Sequence, residues 1–196
     1  MSAEKSHGLF FYQVALKPPP ALRMRYHLAY LFRALPQPLR QELDALVHVV
    51  RAFRDESVPH PSGSVNPSRD AQSMEDELIL ADLGVVERRL ERLERDLKKS
   101  KSAELEKERD LLLRCKEALE NGQPLRALGL AGEDLRRLRG FQLLSAKPLL
   151  LVINLDESDI GDIAAGIETA AAKAGLTSFL AHAETKAVAL CAKIEL

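Results

Sequence analysis

The chain has 196 residues, 46% of them hydrophobic and 29% charged, with a formal net charge of −1 at pH 7. That length allows one domain with a real core, or one compact domain carrying an extended appendage, and excludes two domains of full size. Near-zero net charge excludes a strong global field, so any contact with nucleic acid must come from a local patch.

Aromatic residues make up 5% of the chain and Trp is missing, a composition that leans toward long exposed helices. Cys115 and Cys191 are the two cysteines, far apart and without His or Cys at ligand spacing, so the sequence indicates neither a disulfide framework nor a zinc site. A reducing cytoplasm is the expected setting. The early apolar run GLFFYQVAL, residues 8–16, is about half the length of a membrane span and ends at Lys17 and three prolines. The expectation is a soluble chain with no signal peptide, no membrane helix and no membrane partner.

In residues 1–42, Pro18 to Pro20, Pro36 and Pro38 interrupt every periodicity, and a loosely attached leader with a short helix around residues 23–34 is expected. DALVHVVRAF, residues 44–53, reads as a strand buried on both faces, and a polar loop with three prolines follows it. From Met74 the period becomes helical. Ile79, Leu83, Val86, Leu90, Leu93 and Leu97 recur at steps of four and three, which is a heptad seam. The pattern resumes with Leu105, Leu112, Cys115 and Leu119 and stops at Asn121-Gly122, so an antiparallel coiled-coil hairpin is expected. Beyond it come a short helix in residues 132–144, a strand in 148–154, an alanine-rich helix in 163–174 and a final strand in 187–191. Apolar strands alternating with helices predict an α/β fold with a parallel sheet, into which the hairpin is inserted.

In open parallel sheets ligands bind beyond the carboxyl ends of the strands. Two apolar strands here end on polar residues at that edge: one on Asn154-Leu155-Asp156-Glu157, the other on Cys191-Ala192-Lys193. A purine has a fixed pattern of donors and acceptors on its rim, and a short amide, a carboxylate and backbone N–H groups form a set that can read it. Taken alone, the N-x-x-E string is ordinarily just a strand meeting water.

The stretches DALVHVVRAFRDESVPHPSGSVNPSRD, ELILADLGVVERRLERLE, LSAKPLLLVINLDE and CAKIE stand in the order and at the approximate spacing of one family. From about Asp44 to Glu195 the chain resembles the YchF or Obg-like ATPases, a branch of the P-loop GTPase superfamily. The resemblance implies a partial P-loop-NTPase-like sheet interrupted by the helical hairpin, with ATP or GTP and Mg²⁺ as ligands in the family. It implies that Asn154 reads the base edge, that Leu155 contacts the base, and that the Cys191-Ala192-Lys193 turn offers backbone N–H groups. Guanine-selective relatives end this strand on N-K-x-D; here Leu155 and Glu157 stand in the places of the Lys and the Asp. Glu157 no longer matches the guanine donors, so preference is expected to move toward ATP. The resemblance also places His60 where a histidine helps to position the attacking water, although a lone histidine in a Pro-flanked loop is ordinarily solvated. His48 reads as a core residue.

The family's phosphate loop, G-x-x-x-x-G-K-[ST], does not occur, because none of the ten glycines is followed by Lys. No Asp has Gly three residues later either, so the D-x-x-G element is missing. The resemblance therefore implies the central part of an Obg-like ATPase, without the phosphate loop, the Mg²⁺ ligands and the TGS domain, and inactive in isolation. The expected partition is a leader over 1–42, a strand and loop of the nucleotide domain over 43–73, the hairpin over 74–122, and the later part of the nucleotide domain over 123–196. Ribosome or rRNA contact through the hairpin is implied by the family. Self-association through exposed sheet edges is a further expectation. A second reading keeps the hairpin as a non-enzymatic interaction module that the α/β part merely supports.

Overall fold

A computed structural model describes residues 8–13, 43–60, 62–100 and 102–193. The helix expected around residues 23–34 lies outside the described residues. The chain divides into two compact units: Met1–Ser73 with Pro148–Leu196, and Met74–Lys147.

The first unit is built on a parallel sheet. Its strands are β1 (Gly8–Gln13), β2 (Leu43–Arg51), β3 (Leu149–Asn154) and β4 (Thr185–Leu190), in the spatial order β1-β2-β3-β4. All three pairings are parallel. The apolar segment at residues 8–13 therefore forms a strand that covers the edge of β2. Between β3 and β4 run α4 (Ile160–Ala165), α5 (Ile167–Lys173) and α6 (Thr177–Leu180). The helix expected over 163–174 is split, because Gly166 sits at φ 110 and ψ 164, a conformation open to glycine almost alone.

Burial along β3 alternates. Leu149, Leu151 and Ile153 are buried and Leu150 and Val152 only half-buried. The buried set packs with Val50, Ala170, Ala171, Leu176 and Phe179 in one core. Truncating any of these large side chains would cost about 2–5 kcal/mol, the usual range for emptying such a site.

His48 sits on the β2 face shared by Leu46 and Val50, and it is 5% exposed. Burial pushes its imidazole down from 6.5 to about 4, against an upward pull from the Asp70 carboxylate. Because the folded state takes up this proton later than the unfolded chain does, His48 favours folding above pH 6.5 and that contribution is lost as the pH falls toward 4. The loss amounts to about 3 kcal/mol. His48→Gln should abolish it: the stability difference between variant and wild type, from urea unfolding, should shift by about 3 kcal/mol in the variant's favour between pH 7 and pH 4. Parallel pH profiles would refute this account of His48.

The second unit contains most of α1 (Pro67–Lys99), together with α2 (Ala103–Glu120) and α3 (Gly132–Leu138). Helix α1 begins seven residues before the expected Met74. Asn66 Oδ1 accepts the Arg69 N–H at 3.0 Å and Pro67 takes the first helical position, a start signal within NPSRD that outweighs the loop-like composition. Between α1 and α2, Arg89 pairs with Glu108 at 2.7 Å and Glu87 with Lys116 at 3.2 Å. Numbers fall on one helix as they rise on the other, so the helices run in opposite directions. Ile79, Val86, Leu90, Leu93, Leu111, Leu112, Cys115 and Leu119 are buried between them and the following turns.

A buried polar network lies in this unit. The Asp82 carboxylate accepts the Leu144 N–H at 2.8 Å, the Ser145 N–H at 2.7 Å and the Ser145 hydroxyl at 2.6 Å. The Ser145 carbonyl in turn accepts the Arg126 N–H at 2.9 Å, and the Arg126 guanidinium grips both carboxylate oxygens of Glu75. Burial pushes Asp82 up to about 6 even though three hydrogen bonds favour its ionised form. No helix among the described residues is long and apolar enough to cross a membrane.

Candidate functional site

The carboxyl ends of three neighbouring strands are level. Arg51 is in register with Asn154, and Asn154 with Leu190. The ladder continues one step past the strands: the Asn154 carbonyl accepts from Ala52 N at 2.9 Å, and Leu155 N donates to Leu190 O at 2.8 Å. Directly beyond, the Asn154 side chain bridges the two loops, its Oδ1 accepting the Ala192 N–H at 3.1 Å. With the oxygen committed to the protein, the rotamer is fixed and the donating NH₂ is the end that can address a ligand acceptor.

Leu155 is 3% exposed and belongs to the core of the first unit, so its side chain packs inward rather than standing at the edge. Glu157 opens a short turn, Glu157–Asp159, whose preceding Asp156 carboxylate accepts the Ser158 N–H at 3.2 Å. Glu157 reaches across to Lys193, Oε1 to Nζ 3.3 Å. Donating a hydrogen bond to Glu157 holds the Lys193 ammonium above its usual range. Both side chains are exposed, 47% and 76%, so the pair orients the two loops rather than stabilising the fold. Cys191 is buried, while Ala192 and Lys193 are exposed. Asn154, Glu157, Ala192 and Lys193 thus meet at one sheet edge, and Leu155 and Cys191 underlie it.

The loop after β2 stands at the same edge and is pinned by Arg51. Its guanidinium donates to the carbonyls of Phe53 at 3.1 Å, Val58 at 2.8 Å and Asp55 at 3.2 Å, and lies 4.5 Å above the Phe53 ring. His60 follows. Its side chain is 11% exposed, not solvated, with Nε2 3.0 Å from Asp70 Oδ2 in the first turns of α1. Nδ1 accepts the Ser62 N–H at 3.2 Å, whereas Asp70 Oδ2, the oxygen facing Nε2, is buried without a hydrogen-bond partner among the described residues. No hydrogen bond or ion pair joins His60 to Asn154, Glu157 or Lys193 among the described residues.

Arg51 and Asp70, which contact the loop after β2, are not singled out by the sequence alone. Arg51 is legible only as an arginine ending an apolar strand, and Asp70 only once the helix is seen to start at Pro67. No three His, Cys, Asp or Glu side chains among the described residues are grouped to hold a metal ion.

Fold and edge define a parallel α/β protein, interrupted by a helical unit, with Asn154, Glu157, Ala192 and Lys193 meeting at the strand carboxyl ends. No family model matches the chain. It is 36% identical to the ribosome-binding ATPase YchF of Bacillus subtilis over 155 residues, which is 79% of this chain and 41% of that protein. It is 37% identical to Obg-like ATPase 1 of Oryza sativa subsp. indica over 117 residues, 60% of this chain and 30% of that one. Among solved structures, the YchF GTPase of Schizosaccharomyces pombe superposes with a TM-score of 0.61 at 23% identity, covering 79% of this chain and 42% of that one, a likeness of fold. The chain belongs to the YchF or Obg-like ATPase family. It spans about two fifths of the Bacillus subtilis relative's length.

Proposed function

We propose that this chain carries the base-reading part of a YchF-type nucleotide-binding protein, acting in the cytoplasm in association with the ribosome. The observation that supports this most is the 3.1 Å bond tying Asn154 Oδ1 to Ala192 N, which joins two strand ends into one edge. In this reading the Asn154 NH₂ donates to the purine N7, an acceptor present on both adenine and guanine. Discrimination falls to Glu157 and to the backbone N–H groups around Ala192. An exposed Glu157 engaged by Lys193 is a poor match for the paired guanine donors, which favours adenine.

His60 is then a latent water-positioning group, held by Asp70 until the loop rearranges. The paired helices of the second unit form the coiled-coil appendage that meets the ribosome. Phosphates and Mg²⁺ supply much of nucleotide affinity and all of the chemistry, so this polypeptide alone should bind ATP weakly and hydrolyse none. Isothermal titration with ATP-Mg should give a Kd of about millimolar, and Asn154→Ala should weaken it by about tenfold, the loss of one well-placed hydrogen bond. Micromolar binding, steady phosphate release, or an Asn154→Ala variant that binds as wild type would each overturn the reading.

A further inference from the structure

The sheet of the first unit ends on two strands, β1 and β4, each bonded to a neighbour on one side alone among the described residues. Half of the main-chain N–H and C=O groups of such a strand point away from the sheet, where another chain can pair with them. Edge strands are ordinarily blunted by charge, by Pro or by a bulge, and on this count the two edges differ. Strand β4, TKAVAL, contains an exposed Lys186, and an exposed Lys193 follows it. Strand β1, GLFFYQ, contains neither charge nor Pro, and half of its residues are aromatic. Its pairing with β2 is irregular between Gly8 and Leu9, so residues 9–13 run in unbroken register with residues 45–49.

We propose that the outer edge of β1 is a docking surface for the same edge of a second copy of this chain, joined strand to strand about a twofold axis. The axis stands normal to the sheet at Phe11, the centre of the unbroken stretch. It makes the two β1 strands antiparallel and keeps each face of the sheet continuous across the junction. In that register Phe11 lies opposite itself, Phe10 opposite Tyr12 of the second copy, and Leu9 opposite Gln13 of the second copy. No like charges are brought face to face, and aromatic residue types are favoured at opposed positions of a ladder.

A second copy fits this edge for two further reasons. The formal charge of −1 leaves little net repulsion between two copies. The contact also closes on itself, because it uses the uncharged edge of each copy and leaves the lysine-bearing β4 edges facing outward, which gives a dimer and not a fibre. Main-chain hydrogen bonds supply the affinity, as in strand addition generally, and five positions on each side make a small interface, so a dissociation constant of about 10 µM is expected. The base-reading residues stand on β3 and after β4, across β2 from this edge, so the dimer leaves them open.

Sedimentation velocity of the full chain, from about 1 to about 200 µM, brackets the expected constant. A single species of 21.7 kDa should give way to one of twice that mass as the concentration rises. Phe11→Glu and Phe11→Lys each set like charges face to face at the axis, so each should remain monomeric where wild type is dimeric. An equimolar mixture of the two should recover the dimer, with far-ultraviolet circular dichroism showing that each variant is folded. Phe11→Cys makes the test without introducing charge. Opposed Cα atoms of an antiparallel ladder are about 4.5–5.5 Å apart, within disulfide reach, so mild oxidation with copper phenanthroline should link this variant as a dimer. Cys115 and Cys191 are buried and should stay unlinked, as should Val188→Cys on β4, where Val188 is exposed. The proposal is overturned by a wild type that stays monomeric to about 200 µM, whether its own chain or another partner covers the edge. Species heavier than a dimer, a mixture of folded variants no more dimeric than its components, or Val188→Cys linking as fast as Phe11→Cys would equally overturn it.

Discussion

Asp82→Ala should lower the stability of the helical unit by about 3–5 kcal/mol, among the largest single effects in the chain. The substitution does more than delete three hydrogen bonds. It leaves the Leu144 and Ser145 N–H groups facing a cavity at a site where Asp82 is 2% exposed, and orphaned buried donors cost about 1–3 kcal/mol each. Part of that loss is offset at neutral pH, since burying the ionised carboxylate is itself unfavourable, as its pKa of about 6 records. The same shift gives the effect a pH signature. Asp82 is protonated in the folded state at a higher pH than in the unfolded one, so its contribution to stability rises as the pH falls from above 6 toward 3.8. That rise opposes the loss due to His48 and is of similar size, about 3 kcal/mol. In Asp82→Ala the compensation disappears, and guanidinium unfolding should show a variant that weakens further on acidification. A variant within 1 kcal/mol of wild type at pH 7 would contradict the role assigned to the network.

Arg126→Met should cost a comparable amount, about 3–5 kcal/mol, because it strands the Glu75 carboxylate in the interior without a counter-charge. Arg126 and Glu75 have side chains 0% and 3% exposed, so water cannot take the place of the missing partner. The double variant Glu75→Leu with Arg126→Met should recover most of the loss, since well-packed apolar groups replace a buried pair with little penalty. Chemical denaturation of the two single variants and the double variant gives the coupling energy directly. Double-variant stability equal to the sum of the single losses would exclude the pairing. Ser145 bonds to both Asp82 and Arg126, so losses at those two positions should also fail to add.

The parts of this fold legible in the sequence are those governed by period. Leu149 to Asn154 and Leu43 to Arg51 announce strands because apolar, β-branched runs stop at polar residues, and the seam from Ile79 to Leu97 announces a helix because its apolar steps alternate between four and three. The juxtaposition of Asn154 with Ala192 was legible only through the rule that parallel strands deliver their carboxyl ends to one side. Buried polar groups were not legible. Asp82 sits within LILADLGVV, where its charge among apolar neighbours is the one available signal, and its partners are more than sixty residues away. Glu75 and Arg126 look like surface charges in the sequence, since nothing local tells a paired buried ion from a solvated one. His60 shows the converse: its Pro-flanked loop is polar, but the ring packs beside Asp70 and Ser62, out of solvent. Gly166 breaks an alanine-rich run that propensity alone would carry through, because a single positive-φ residue outweighs the helix preference of its neighbours.

The most direct measurement is a titration of the ¹⁵N-labelled chain with AMP and, separately, with GMP, read from assigned amide shifts. The account predicts that AMP moves the amides of residues 154–157 and 190–193, with Ala192 among the largest shifts because its N–H is bonded to Asn154, and that GMP moves them less at equal concentration. An Ala192 amide unmoved at saturating AMP, or shifts confined to residues away from these two strand ends, would contradict it.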